Sequence, residues 1–127
     1  MFTGIVEDIG RIKRLAADRL EIISCLDGVK PGDSIAVNGV CLTVTGLDGG
    51  WFFDLMPFTL RDTALAGLPV GAAVNLERAM PADGRFGGHF VSGHVDEASP
   101  VEKIDAAAGK ILWIRAGREN KKFLARK

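Results

Sequence analysis

Before Asp83 the chain is built from short runs in which apolar and polar residues alternate, the two-residue period of half-buried strands. Residues 19–25 (RLEIISC) are apolar and β-branched and predict a strand. Residues 34–37 and 40–45 flank Asn38-Gly39, the strongest two-residue hairpin signal. In the second of these runs Val40, Leu42 and Val44 share one face, and Cys41, Thr43 and Thr45 share the other. Asp48-Gly49-Gly50 turns the chain into a further strand at residues 51–55. Pro57 ends that pattern, and Thr59 is placed to cap a short helix to about Leu65, with Gly67 closing it. Residues 5–15 and 73–78 complete six predicted strands around one small helix. Strands this short, with turns this frequent, predict an all-β chain closed or nearly closed into an antiparallel barrel.

From Asp83 onward the pattern changes. Gly84, Gly87, Gly88 and Gly93 cluster around His89 and His94, after which strand-like segments resume. These segments echo the start of the chain. Gly4-Ile5-Val6-Glu7-Asp8 matches Gly93-His94-Val95-Asp96-Glu97, and residues 11–15 match residues 100–104, at a separation of 89. Glu21-Ile22-Ile23 and Lys110-Ile111-Leu112 lie at the same separation. Either the chain holds a duplicated unit or two amphipathic strands resemble each other by chance. A duplicated copy would have two strands and a short helix over residues 118–126, without its own version of residues 34–45.

Composition narrows the class. The 127 residues suit one compact domain and leave little room for a second complete one. Sixteen Lys and Arg balance 16 Asp and Glu, which argues against nucleic acid or an anionic membrane as the main partner. A hydrophobic share of 47% excludes a disordered chain. No apolar run approaches the roughly 20 residues of a membrane span, and the start lacks a signal-peptide layout. Two cysteines, Cys25 and Cys41, make no disulfide framework, so a reducing cytoplasm is expected.

Five blocks in series resemble the riboflavin synthase alpha-chain family, whose relatives include lumazine-binding antenna proteins. They are Met1-Phe2-Thr3-Gly4-Ile5-Val6, residues 32–44 (GDSIAVNGVCLTV), Thr59-Leu60-Arg61, residues 74–79 (VNLERA) and residues 87–95 (GGHFVSGHV). One departure is Phe58, where the family usually carries an acidic residue. The resemblance implies two six-stranded Greek-key barrels in tandem, each binding one lumazine, and a homotrimer assembled through a C-terminal helix. On that pattern residues 1–97 form the first lumazine-binding barrel, and residues 98–127 begin a second that is incomplete. The implied reaction is the dismutation of two 6,7-dimethyl-8-ribityllumazine molecules. One donates a four-carbon unit to the other, giving riboflavin and a ribitylamino-pyrimidine, with no metal or redox cofactor.

A lumazine is a flat ring with donor and acceptor edges and a chain of hydroxyls. Backbone groups at strand edges suit the ring edge, and small hydroxyl residues suit the chain. The resemblance implies a pocket lined by Gly4, Ile5 and Val6, by Cys41, Leu42 and Thr43, by Asp54, Leu55, Met56, Pro57, Phe58 and Thr59, and by Gly93, His94 and Val95. Taken alone, Gly4 and Gly93 read as turn or bulge glycines, and Cys41 as a small buried hydrophobe. The family places Cys41 near the ring, either as nucleophile or as pocket wall. His94 is the better candidate for proton handling near neutral pH, and His89 reads as a structural residue at a turn. Their spacing puts the two on opposite faces of a strand, which is poor geometry for a shared metal. Ser34 and Thr43 are candidates to bond substrate or a catalytic water. Phe2 is either a contact at the mouth of the site or a core staple. Glu77-Arg78 and the mixed charges of Glu102, Lys103, Arg118, Glu119, Lys121 and Lys122 read as solvated faces.

Three readings follow. The chain is the N-terminal half of a riboflavin synthase and supplies half of a site completed by another subunit. Alternatively it is a non-catalytic lumazine or flavin carrier, or an unrelated small barrel. The strands after Val95 are expected to leave unpaired edges, to be covered by another chain, the first barrel or further residues.

Overall fold

The structure, a computed structural model, describes residues 1–106 and 109–124. The chain divides into two compact units, Met1–Val95 and Asp96–Lys127. In the first, six antiparallel strands close into a barrel: β1 (Asp8–Leu15), β2 (Arg19–Ile23), β3 (Ser34–Val37), β4 (Val40–Leu47), β5 (Trp51–Asp54) and β6 (Ala73–Arg78). Around the barrel they run β1-β2-β5-β4-β3-β6, with β6 returning to pair with β1. Strand β6 lies beside β3, the first strand of the β3-β4-β5 meander, and this is the Greek-key connection.

The two-residue period decides the interior. Ile12 of β1, Leu20 and Ile22 of β2, Ile35 and Val37 of β3, and Val40, Leu42 and Val44 of β4 point inward and are buried. Trp51, Phe53, Val74 and Leu76 complete the core, with Val29, Leu55 and Leu65 packed into it from the connections. Gly10 faces the same interior, where a Cβ would stand 2.6 Å from Leu76 Cδ1 and 2.7 Å from Ile22 Cγ2. The Asn38-Gly39 hairpin forms as expected, with both φ values positive at 48° and 86°.

Several boundaries differ from the sequence-based expectation. Strand β1 starts at Asp8 rather than at residue 5, because residues 1–7 leave the barrel as a strap. Met80 N–H donates to Met1 O, Glu7 N–H to Leu76 O and His89 N–H to Thr3 O, and Phe2 and Val91 exchange both backbone bonds. Strand β2 stops at Ile23, where the Asp8 carboxylate takes the Ser24 hydroxyl at 2.5 Å and the Cys25 N–H at 3.2 Å. Strand β4 runs on to Leu47 through a bulge at Thr45, and β5 ends at Asp54.

The helix also starts earlier. Helix α1 spans Pro57–Asp62, with Pro57 in the first turn, where its fixed φ and missing N–H fit. Thr59 is therefore inside the helix and not its cap. The capping threonine is Thr63, which accepts from Leu65 N–H at the start of a 3-10 turn over Ala64–Gly67 and donates to Thr59 O at 2.6 Å.

The second unit holds an antiparallel hairpin of β7 (Val101–Asp105) and β8 (Ile111–Ile114), then a 3-10 turn over Asn120–Phe123. The helix expected over residues 118–126 is thus shorter, and residues 125–127 lie outside the described residues. The register sharpens the internal echo. β1 carries a bulge between Ile12 and Arg14, and β7 carries one between Val101 and Lys103, the matching position. On the return strand the equivalence moves by three residues, because the β7–β8 turn is longer: Leu20, Glu21 and Ile22 correspond to Leu112, Trp113 and Ile114. Glu21-Ile22-Ile23 therefore does not correspond to Lys110-Ile111-Leu112. Glu97, the counterpart of Asp8, takes the Gly117 N–H at 3.0 Å, as Asp8 takes that of Cys25. Among the described residues no helix is long and apolar enough to cross a membrane.

Candidate functional site

Strand alternation turns Cys41 out of the barrel while Val40 and Leu42 point in. Helix α1 lies beside it and presents Phe58, Thr59 and Asp62 on one face, the i, i+1, i+4 spacing of a single helical side. The third wall is the segment Gly93-His94-Val95. Together with Val40 and Thr63 these residues line a cavity of about 140 Å³.

The third wall is fastened to the first. Cys41 N–H donates to the Gly93 carbonyl at 2.8 Å, in line with the ladder of β4. Gly93 has φ +75°, and a Cβ there would stand 2.8 Å from Cys41 Cβ and 2.9 Å from Phe2 Cε2. Only glycine allows the approach at that φ. His94, the next residue, is exposed at the mouth, with its N–H on the Ser92 hydroxyl at 3.2 Å. On the helix side Arg61 donates through Nε and Nη2 to Asp62, both at 2.6 Å. These hydrogen bonds hold the Asp62 carboxyl below its usual range, so the wall carries a carboxylate at neutral pH.

Of the residues expected in the pocket, the structure brings together Cys41, Phe58, Thr59, Gly93, His94 and Val95. Others lie elsewhere. Leu42 and Leu55 are in the barrel core, because alternation sends their side chains inward. Phe2 is 1% exposed beneath Gly93, the geometry of a packing residue rather than of a contact at the mouth. Ser34 and Thr43 are register partners across β3 and β4 and line none of the cavities described here. Asp54 faces a different groove with Arg19, at 3.4 Å, and Thr45. Met56 and Pro57 are exposed at the entry to α1.

Gly4, Ile5 and Val6 stand apart from Cys41 and His94. Gly4 and Val6 line a groove of about 300 Å³ with Ala36, Asn38, Gly39 and Asn75. Ile5 lines a cavity of about 470 Å³ with Arg78, Met80 and Arg85.

Sequence reasoning missed Asp62 and Thr63, although the helical spacing from Phe58 and Thr59 points to Asp62. It also misread Glu77 as solvated. Glu77 is 8% exposed beneath Thr3 and Gly4, whereas Arg78 is exposed as expected and pairs with Glu7 at 2.6 Å. Among the described residues no group of His, Cys, Asp and Glu is placed to hold a metal ion.

Comparison with known proteins bears on this arrangement. The chain is 48% identical over 120 residues to the riboflavin synthase of Bacillus amyloliquefaciens, covering 89% of this chain and 56% of that protein. It is 46% identical over 109 residues to the riboflavin synthase of Schizosaccharomyces pombe, covering 80% and 52%. The chain thus spans about half the length of these curated relatives. Among solved structures it superposes on LumP complexed with 6,7-dimethyl-8-(1'-D-ribityl) lumazine with a TM-score of 0.78 at 27% identity, over 94% of this chain and 71% of that one. LumP complexed with riboflavin matches with a TM-score of 0.79 at 27% identity, over 96% and 71%. The family profile of the lumazine binding domain matches residues 3–79, which takes in all six barrel strands and helix α1. A match that covers the barrel and two of the three cavity walls leaves one conclusion: the chain belongs to the lumazine binding domain family.

Proposed function

We propose that the barrel binds the ring of a ribityllumazine or of riboflavin against Cys41, Gly93 and His94, and that it serves as the N-terminal half of a riboflavin synthase. The observation that carries this reading is the Cys41–Gly93 backbone bond, which brings His94 to the same cavity as Phe58 and Thr59. Phe58 offers an aromatic face to a flat ring, and the Asp62 carboxylate accepts hydrogen bonds from hydroxyls of a ribityl chain. The reaction is the dismutation of two 6,7-dimethyl-8-ribityllumazine molecules to riboflavin and 5-amino-6-ribitylamino-pyrimidinedione. It requires a proton to leave an acidified ring methyl group. His94 is the imidazole that lines the cavity, and it is placed to take such a proton. Cys41 shapes the wall beside the ring.

Residues 1–97 then act as the first lumazine-binding barrel, and residues 98–127 as the beginning of a second. The matching bulges in β1 and β7 and the matching carboxylate contacts of Asp8 and Glu97 support that division. In this reading the second lumazine of the reacting pair sits on another barrel, in a homotrimer. Mixing the 127-residue chain with 6,7-dimethyl-8-ribityllumazine tests it. Saturable binding with little riboflavin formed is expected. Full turnover by the chain alone would overturn the half-site, and absence of binding would overturn the site.

A second reading is a non-catalytic lumazine or flavin carrier. The superposition on LumP complexed with 6,7-dimethyl-8-(1'-D-ribityl) lumazine and on LumP complexed with riboflavin favours it. Stoichiometric binding with no product at any chain concentration distinguishes it from the first.

A further inference from the structure

We infer that Glu77 is a positioning residue for the Cys41–His94 cavity, acting through the strap of residues 1–7; the ligand-binding part of this inference rests on the function proposed above. Glu77 belongs to β6, where Leu76 points into the core and Glu77 therefore points out. An outward carboxylate is normally hydrated, yet this one is nine-tenths buried, because Thr3 and Gly4 lie over it. Its Oε1 accepts from Thr3 N–H at 2.5 Å and from the Thr3 hydroxyl at 2.7 Å, and its Oε2 accepts from Gly4 N–H at 3.1 Å. Two backbone donors and a hydroxyl converging on one carboxylate form a charge-assisted clasp, stronger than three separate neutral bonds.

The clasp is connected to the cavity by an unbroken series of contacts. Thr3 O accepts from His89 N–H at 2.9 Å, and Phe2 exchanges bonds of 2.7 and 3.0 Å with Val91. A Cβ on Gly88 would stand 2.4 Å from Thr3 O, so the strap and the segment from Gly88 to Gly93 run with no clearance between them. The Phe2 ring then fills the space beneath Gly93, whose carbonyl holds Cys41 N–H. Moving the strap moves Gly93, and with it His94.

The barrel's strand pairing closes without the strap. Its six strands close on one another from Asp8 to Arg78, and Phe2 lies outside the cluster of residues that forms the barrel core. What the strap supports is the third wall of the cavity, which belongs to no strand of the barrel. Glu77 is thus a buried charge whose contacts serve the site more than the fold.

The experiment compares the wild-type chain with Glu77→Ala and Glu77→Gln. Riboflavin affinity is read by fluorescence quenching, and amide hydrogen exchange is read residue by residue. Glu77→Ala is expected to weaken riboflavin binding about tenfold or more, the scale of losing charge-assisted bonds. Amides of His89, Val91 and Cys41 should exchange faster, while those of Leu20 and Phe53 keep their protection. Glu77→Gln keeps one acceptor oxygen and should fall between. If Glu77→Ala does not fold, Thr3→Ala removes one donor from the other side of the clasp and should weaken binding about threefold.

Unchanged riboflavin affinity in a folded Glu77→Ala chain would overturn the inference, even if its Tm fell, because a purely structural residue would behave that way. Uniformly faster exchange, including Leu20 and Phe53, would overturn it as well. A wild-type chain that fails to bind riboflavin would sink the proposed function instead, and the exchange pattern would still decide whether Glu77 holds the third wall.

Discussion

Gly93 carries more of the site than its missing side chain suggests. It joins a positive φ to contact with both Cys41 and Phe2, and its carbonyl ties the third wall to β4. Gly93→Ala is expected to cost about 1–3 kcal/mol of stability, since a methyl must be forced into a filled space at an unfavourable φ. Urea unfolding measures the loss, and riboflavin titration should show weaker binding. Wild-type stability in this variant would show that the wall is looser than the geometry describes. The outward direction of Cys41 was legible from the alternation around it, whereas Gly93 taken alone read as a turn or bulge glycine and entered the pocket only through the family resemblance. The burial of Glu77 was not legible. A charged residue alternating with core Val74 and Leu76 reads as solvated, and only the return of a segment more than seventy residues earlier covers it.

At the scale of elements, the end of β2 is set by a side chain rather than by a turn residue. The Asp8 carboxylate takes the Ser24 hydroxyl and the Cys25 N–H, which holds the Asp8 carboxyl below its usual range, the hydroxyl having the largest effect. A carboxyl with a lowered folded value binds fewer protons folded than unfolded. Its contribution to stability is therefore complete above the ordinary carboxylate range and is lost as the pH falls through the folded value. Asp8→Asn is expected to be less stable than wild type at pH 7, with the two stability curves converging below about pH 4. Urea unfolding followed by circular dichroism over a pH series checks this; parallel curves would remove Asp8 from the acid response. Element type was largely legible, because period-two alternation and Asn38-Gly39 act locally. Element ends were not. Pro57 moved the start of α1 forward, and the capping role went to Thr63 because Leu65 N–H lies within its reach.

For the whole molecule, the two units differ in how much they bury. Ile12, Leu20 and Ile22 in the barrel are almost completely enclosed, whereas their counterparts Val101, Leu112 and Ile114 are 50%, 55% and 58% exposed. A lone two-stranded hairpin is marginal in water, since nothing covers its apolar face. Amides of β7 and β8 in the isolated chain are expected to exchange orders of magnitude faster than those of β2 and β5. Protection of β7 and β8 equal to that of the barrel would mean that their apolar face is covered in solution. The internal echo at a separation of 89 was visible in the sequence. Its continuation onto β8 was misaligned by three residues, because pairing register depends on the turn between the strands, and the turn is longer in the second unit.

The sequence by itself determined the all-β class, the six strands, the inward and outward faces and the family motifs, because each follows from neighbours close along the chain. The tertiary structure alone decided which of those motifs meet. It set Cys41, Phe58 and His94 around one cavity, and sent Gly4, Ile5 and Val6 to other grooves. It also turned Glu77 from a surface charge into the clasp of the strap. The physical reason is distance along the chain. Alternation and turn chemistry act over a few residues, whereas the Glu77–Thr3, Phe2–Val91 and Cys41–Gly93 contacts exist only once the barrel has closed and its two ends lie side by side.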